Sequence, residues 1–124
     1  TIVADGTTTL GSGTLINTID TERGIGYGIL IGTGGLSHQL DGERAGFINK
    51  EFDAAFMHSL IDNPRFATQY TIEELVELTG TQGVELVMWL AARAAMPGAV
   101  KQLAANYHIP ISNTAAGSML MEAI

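Results

Sequence analysis

The feature that most constrains this chain is the run Tyr27-Gly28-Ile29-Leu30-Ile31 passing directly into Gly32-Thr33-Gly34-Gly35. A short, continuous apolar run of this kind is the pattern of a strand buried on both faces. The glycines that follow let the backbone turn sharply at its end. Upstream, from Thr1 to about Gly35, the sequence is rich in Gly, Thr and Ile and almost free of helix formers. Thr1 to Leu10 and Thr14 to Thr18 read as short strands around a Gly11-Ser12-Gly13 turn. Beyond Asn49 the periodicity changes. Asn49 can cap a helix in which Phe52, Phe56 and Leu60 fall at i, i+4 and i+8, closed by Pro64. Thr71-Ile72-Glu73-Glu74 is a capping box opening a helix that ends near Gly80. Gln82 to Met96 is the strongest helical stretch, stopped by Pro97-Gly98. A turn over Val100–Asn106, a strand around Tyr107 to Ile111 and a small-residue helix over Asn113 to Ile124 complete the expected order.

Strand, glycine loop, then helices is the order of an α/β sandwich, which delivers functional groups at the carboxyl end of the strand. At 124 residues the chain is one domain. Its 46% hydrophobic content excludes a disordered segment. The net charge of −7 argues against nucleic acid and anionic membrane as partners. The longest apolar run, Leu86 to Ala92, is far short of the ~20 residues of a membrane span. The first residues lack the basic start and apolar block of a signal peptide, and the chain opens at Thr1. With no cysteine there are no disulfides, thiolate metal sites or cysteine nucleophiles, which suits a reducing, cytoplasmic location.

His38 follows the glycine turn by three residues, where the strand would deliver a side chain into a crevice. It is either a loop histidine bonded to nearby backbone or an acid–base group with a useful pKa. A phosphate cradle is disfavoured, because the glycine spacing matches neither dinucleotide nor P-loop fingerprints and no lysine follows in reach. Glu85 is the second candidate. Its i+3 and i+4 neighbours, Met88 and Trp89, are bulky and apolar, which implies partial burial and a partner. That partner is either Arg93, two turns along, or a metal. The bland alternative is an acid favoured at a helix N-terminus and left in water.

Two blocks carry a resemblance: Leu30-Ile31-Gly32-Thr33-Gly34-Gly35-Leu36-Ser37-His38-Gln39-Leu40, and Arg44-Ala45-Gly46-Phe47-Ile48-Asn49-Lys50-Glu51-Phe52-Asp53. With Gly83 to Leu90 and Tyr107 to Ala115, they resemble the class III extradiol ring-cleavage dioxygenases, the family of the protocatechuate 4,5-dioxygenase β subunit and its gallate and methylgallate relatives. The likeness runs from about Ile29 to Glu122. It implies the C-terminal part of a mixed-sheet α/β sandwich with helices packed on the sheet, preceded by a Thr/Gly-rich β segment. Residues 29–124 are then the dioxygenase-like part of a single domain 1–124, and residues 1–28 a β-rich segment of separate character.

The resemblance also implies roles. His38 resembles the family's acid–base histidine, which is not a metal ligand. Glu85 resembles the carboxylate of a 2-His-1-carboxylate iron(II) site. Ser112 and Asn113 resemble groups lining the substrate pocket. The implied reaction is the opening of a catechol-type aromatic acid by O2, a step in aromatic catabolism, with Fe(II) as cofactor. The two iron-binding histidines have no counterpart here. Residues 1–28 contain no histidine, His58 reads as a surface residue in a helix, and His108 sits in Tyr107-His108-Ile109-Pro110 without being a ligand. The chain alone is therefore expected to be inactive, with its iron site incomplete. The competing expectation is a non-catalytic fold fragment, or a binding module that self-associates through its Thr/Ile/Gly-rich strands. A sugar or nucleotide pocket at the glycine loop rests on fold analogy alone.

Uncovered strand edges and an apolar helix face favour association, as a homo-oligomer or with a partner subunit. Several aliphatic side chains at ~1.5–3 kcal/mol each outweigh a diffuse charge repulsion. Sedimentation at micromolar concentration and physiological salt should give a dimer or larger species, and a compact monomer would contradict this.

Overall fold

The structure, a computed structural model, describes residues 7–10, 13–20, 25–96 and 98–124. The expected strand start at Thr1, the Gly11-Ser12 part of the first turn and the Pro97 helix stop lie outside the described residues. Three strands, β1 (Thr7–Leu10), β2 (Gly13–Asp20) and β3 (Ile25–Ile31), form an antiparallel sheet in the order β1-β2-β3. In β2 and β3, Thr14 is opposite Ile31 and Asp20 opposite Ile25. The Tyr27–Ile31 strand is thus present, but at an edge of this sheet and not at its centre.

The first two helices follow the expected signals closely. Helix α1 is Lys50–Asp62, capped by the Asn49 side chain, which accepts from the Phe52 amide at 3.1 Å. Phe52, Phe56 and Leu60 are buried along one face, as their spacing requires. The chain leaves α1 at Asn63 before Pro64, and a 3-10 turn over Phe66–Gln69 follows. Helix α2 is Ile72–Thr79. Its capping box is complete, with the Glu74 amide on the Thr71 hydroxyl and the Thr71 amide on the Glu74 carboxylate. Gly80 ends it with φ 89°, a conformation that favours glycine.

The expected long helix from Gln82 to Met96 is split. Gly83–Leu86 is a 3-10 turn, and helix α3 runs only over Val87–Ala94. Close packing accounts for the change. A Cβ on Gly83 would lie 2.7 Å from the Thr79 Cβ, so the chain enters α3 pressed against the end of α2.

The C-terminal third departs most from the sequence reading. Val100–His108 is a strand, β4, where a turn was expected over Val100–Asn106 and a strand only from about Tyr107 to Ile111, and Ala116–Ala123 is its antiparallel partner β5 where a helix was expected. In β5, Gly117, Met119 and Met121 are half-buried while Ser118, Leu120 and Glu122 are exposed. That period of two fits a one-sided strand, and small residues with modest helix propensity yield to it. A Cβ on Gly117 would sit 2.9 Å from Leu36 Cδ1, which explains the glycine. Asn113, with φ 51°, makes the turn between the strands and cannot sit in a helix there. A bulge between Gln102 and Ala104 offsets the register.

The α/β class expected from the sequence therefore holds, with helices packed on an antiparallel sheet. The core lies between α1, α3 and the β4–β5 ribbon. Phe56, Leu60, Leu36 and Leu86 are fully buried there, and Trp89 meets Phe56 edge-on at 6.2 Å between ring centroids. No helix among the described residues is long and apolar enough to cross a membrane. The capping box predicts that Thr71→Ala lowers stability by about 1 kcal/mol. Denaturant unfolding checks this, and an unchanged midpoint would show that the cap contributes nothing.

Candidate active site

The glycine loop is shaped by close approach to the segment that leads into α3. A Cβ on Gly32 would collide with the Met88 carbonyl, and one on Gly34 would lie 2.6 Å from the Glu85 carbonyl. Neither glycine has a positive φ, so what they supply is room and not an unusual turn.

Beyond the loop, Leu36, Ser37 and His38 form a tripeptide with every backbone polar group tied down. The Leu36 amide donates to the Ala115 carbonyl at 3.0 Å, and the Ala115 amide donates to the Ser37 carbonyl at 3.2 Å. The His38 amide donates to the Thr79 carbonyl at 2.8 Å, and the His38 carbonyl accepts from the Gly83 amide at 3.2 Å. A Cβ at Gly80 would strike that carbonyl, so this glycine meets both a steric and a φ requirement.

His38 is almost wholly buried. Its Nδ1 lies 2.8 Å from the Leu36 carbonyl, which can only accept, so Nδ1 carries the proton in the neutral ring. Nε2 is then the lone-pair nitrogen. It has no protein partner among the described residues, and no buried side-chain nitrogen or oxygen there is left unpartnered, so Nε2 reaches solvent. A histidine fixed at one nitrogen and open at the other has the chemistry to accept a proton at the open one. The ring lies against Gly35, where a Cβ would be 2.6 Å from Cε1.

Glu85 reaches the same glycine from the other side, its Oε2 accepting from the Gly35 amide at 2.9 Å. Gly35 therefore brings His38 and Glu85 together. The expected partial burial of Glu85 is not observed. The residue is exposed, because it sits on the 3-10 turn and not on the apolar face of an α-helix. Trp89, which was expected to cover it, turns inward and donates from Nε1 to the Gly34 carbonyl at 2.9 Å. Arg93 is not its partner either. The buried guanidinium donates to the carbonyls of Leu60 at 2.7 Å, Met96 at 3.4 Å and Gly98 at 2.9 Å, closing the ends of α1 and α3.

Ser112 and Asn113 lie in the turn between β4 and β5, both exposed. The turn adjoins the histidine, because Thr114 is bridged to His38. Asn113 also approaches Gly46, where a Cβ would stand 3.3 Å from its Nδ2. His58 is a surface residue paired with Asp62 one turn along α1, and His108 is exposed at the end of β4. A 2-His-1-carboxylate centre needs two imidazole nitrogens beside a carboxylate. Among the described residues no three His, Asp or Glu side chains converge.

The sequence reading missed the group beneath the histidine. Asp53, in the first turn of α1, is fully buried. Its Oδ1 accepts from the Ser37 amide at 2.9 Å, and its Oδ2 accepts from the Ser37 hydroxyl and the Tyr107 hydroxyl, each at 2.6 Å. Ser37 Oγ in turn accepts from the Asn49 amide at 2.8 Å. Burial, then the hydrogen bond to Asp53 and its negative charge, push the Tyr107 phenol well above the ordinary tyrosine range. A signal for Asp53 was available. Its i+3 and i+4 neighbours are Phe56 and Met57, the same apolar flanking that singled out Glu85.

Comparisons with known proteins give the family of the chain. Residues 15–117 match the family model described as the catalytic LigB subunit of aromatic ring-opening dioxygenase. The chain belongs to this family. The match starts upstream of the likeness seen in the sequence and takes in most of β2 and all of β3. The LigB-family chain is also 38% identical over 93 residues to a gallate dioxygenase of Pseudomonas putida, covering 75% of this chain and 27% of that protein. It thus spans about a quarter of the length of the relative it matches.

A phenol with a raised pKa stabilises the fold in its neutral form. That contribution is fully present below about pH 10, the unperturbed tyrosine value, and is lost as pH rises through the folded-state value. Alkaline titration followed by tyrosinate absorbance should show Tyr107 ionising only together with unfolding, and Tyr107→Phe should remove that step. Ionisation of Tyr107 near pH 10 in the folded chain would contradict the assignment.

Proposed function

We propose that this chain is the acid–base part of a non-haem iron(II) extradiol dioxygenase that opens a catechol-type aromatic acid with O2. The observation that carries the reading is His38, held through Nδ1 with Nε2 open, beside Glu85 across Gly35, in a chain of the LigB family. Iron(II) would supply activation of the ring and of dioxygen. The described residues contribute Glu85 alone toward such a centre.

The residues of this chain then divide the remaining work. Neutral His38 takes a phenolic proton of the substrate at Nε2, and the Leu36 carbonyl steadies the resulting imidazolium through Nδ1. The ring can return that proton later in the reaction. Ser112 and Asn113, in the turn bridged to His38 through Thr114, present hydroxyl and amide groups suited to a ring carboxylate or hydroxyl. The gallate dioxygenase relative supports a gallate-like hydroxylated benzoate as the substrate class.

In an assembly that holds its full complement of iron, His38→Ala should lower turnover by a factor on the order of 10² to 10⁴ and leave iron content unchanged. Loss of iron in that variant would make His38 a ligand and overturn the role given to it. The chain by itself should show no tight one-to-one site when titrated anaerobically with iron(II). A stoichiometric site would contradict this and point to His58 and His108.

A further inference from the structure

We propose that Asp53 is a positioning residue for His38: its carboxylate clasps Ser37 at both the amide and the hydroxyl and so holds the imidazole in the Nδ1-protonated form. The inference rests on the acid–base reading of His38, but its test does not. The tautomer of His38 is set by one hydrogen bond, from Nδ1 to the Leu36 carbonyl two residues back. The geometry of that bond depends on the φ and ψ of the intervening residue, Ser37. In a solvated loop this torsion would be free, and the ring would sample both tautomers. Here Ser37 is grasped by Asp53 at 2.9 Å through its amide and at 2.6 Å through its hydroxyl.

Asp53 is itself fixed. Its own amide bonds the Asn49 carbonyl in the first turn of α1, and the Tyr107 hydroxyl donates from β4 at 2.6 Å. The carboxylate therefore links α1, the histidine loop and the β4–β5 ribbon. It touches no reacting atom, and its effect on proton transfer passes through Ser37 and the orientation of the imidazole. Packing alone does not account for the group. An apolar side chain would fill the space, whereas a buried carboxylate with three donors imposes direction on each of them.

The test is the tautomer of His38 read from long-range nitrogen–proton NMR correlations of the 124-residue chain, with the three histidines assigned by substitution. The wild type should show one protonated and one lone-pair nitrogen. In Asp53→Asn and in Ser37→Ala, both ring nitrogens of His38 should move toward their averaged shift. Thr71→Ala, which weakens a helix cap away from the network, is the control and should leave the His38 signals in place. A folded Asp53→Asn chain with wild-type His38 signals would overturn the proposal. If that variant does not fold, Ser37→Ala decides, and wild-type His38 signals there would overturn it equally. Loss of turnover in His38→Ala bears only on the acid–base role, so the two claims can fail separately.

Discussion

The structure around the candidate site depends on one buried carboxylate. Desolvating a carboxylate costs several kcal/mol, and no cation meets Asp53 among the donors that surround it. Two hydroxyls and one amide offset that cost. Each bond to a charged acceptor contributes about 1.5–3 kcal/mol where a donor would otherwise be unpaired. The balance is favourable only if all three donors stay in place. That condition holds Ser37 at the glycine loop and Tyr107 on β4 in fixed relation to α1. The Asn49 cap reinforces it, since the same residue caps α1 with its side chain and donates from its amide to Ser37.

From this anchor the placement of His38 follows. The tripeptide Leu36-Ser37-His38 is held at Ala115, Thr79 and Gly83 through backbone bonds, and at Asp53 through Ser37. The only ring nitrogen not committed to the protein is the one that reaches solvent. Glycines do the complementary work. Gly34 and Gly35 let the loop approach Glu85 and the imidazole within distances no Cβ would allow, which sets an exposed carboxylate and the His38 ring against the same glycine. Close approach accounts for these two glycines sterically.

Much of this was legible in the sequence. The helix starts at Asn49 and Thr71, and the helix end at Gly80, have local causes: a side chain reaching an amide, or a backbone angle only glycine adopts readily. Such causes lie within a few residues and can be read directly. His38 and Glu85 stand out by position and resemblance, but the burial of Glu85 was misjudged because a 3-10 turn replaces the helical geometry assumed for it. Strands β4 and β5 were misread for a different reason. Their stability comes from each other and from Leu36 and Trp89, and that pairing is invisible in a stretch of Ala, Ser and Met taken alone. Asp53 was missed because its partners lie at Ser37 and Tyr107, on either side of it in sequence and far from it along the chain. Its apolar neighbours Phe56 and Met57 were the only local hint.

Hydrogen exchange at the Ser37 amide tests the central claim most directly. This amide belongs to a loop, not to a helix or strand, and its protection depends on the bond to Asp53. If the carboxylate anchors the site, the Ser37 amide exchanges only through the opening that also frees the amides of α1 around Phe56. Its protection should then match theirs and rise and fall with global stability. Exchange at the rate of an exposed loop amide, while α1 remains protected, would show that the clasp is open in solution and that the placement of His38 does not depend on Asp53.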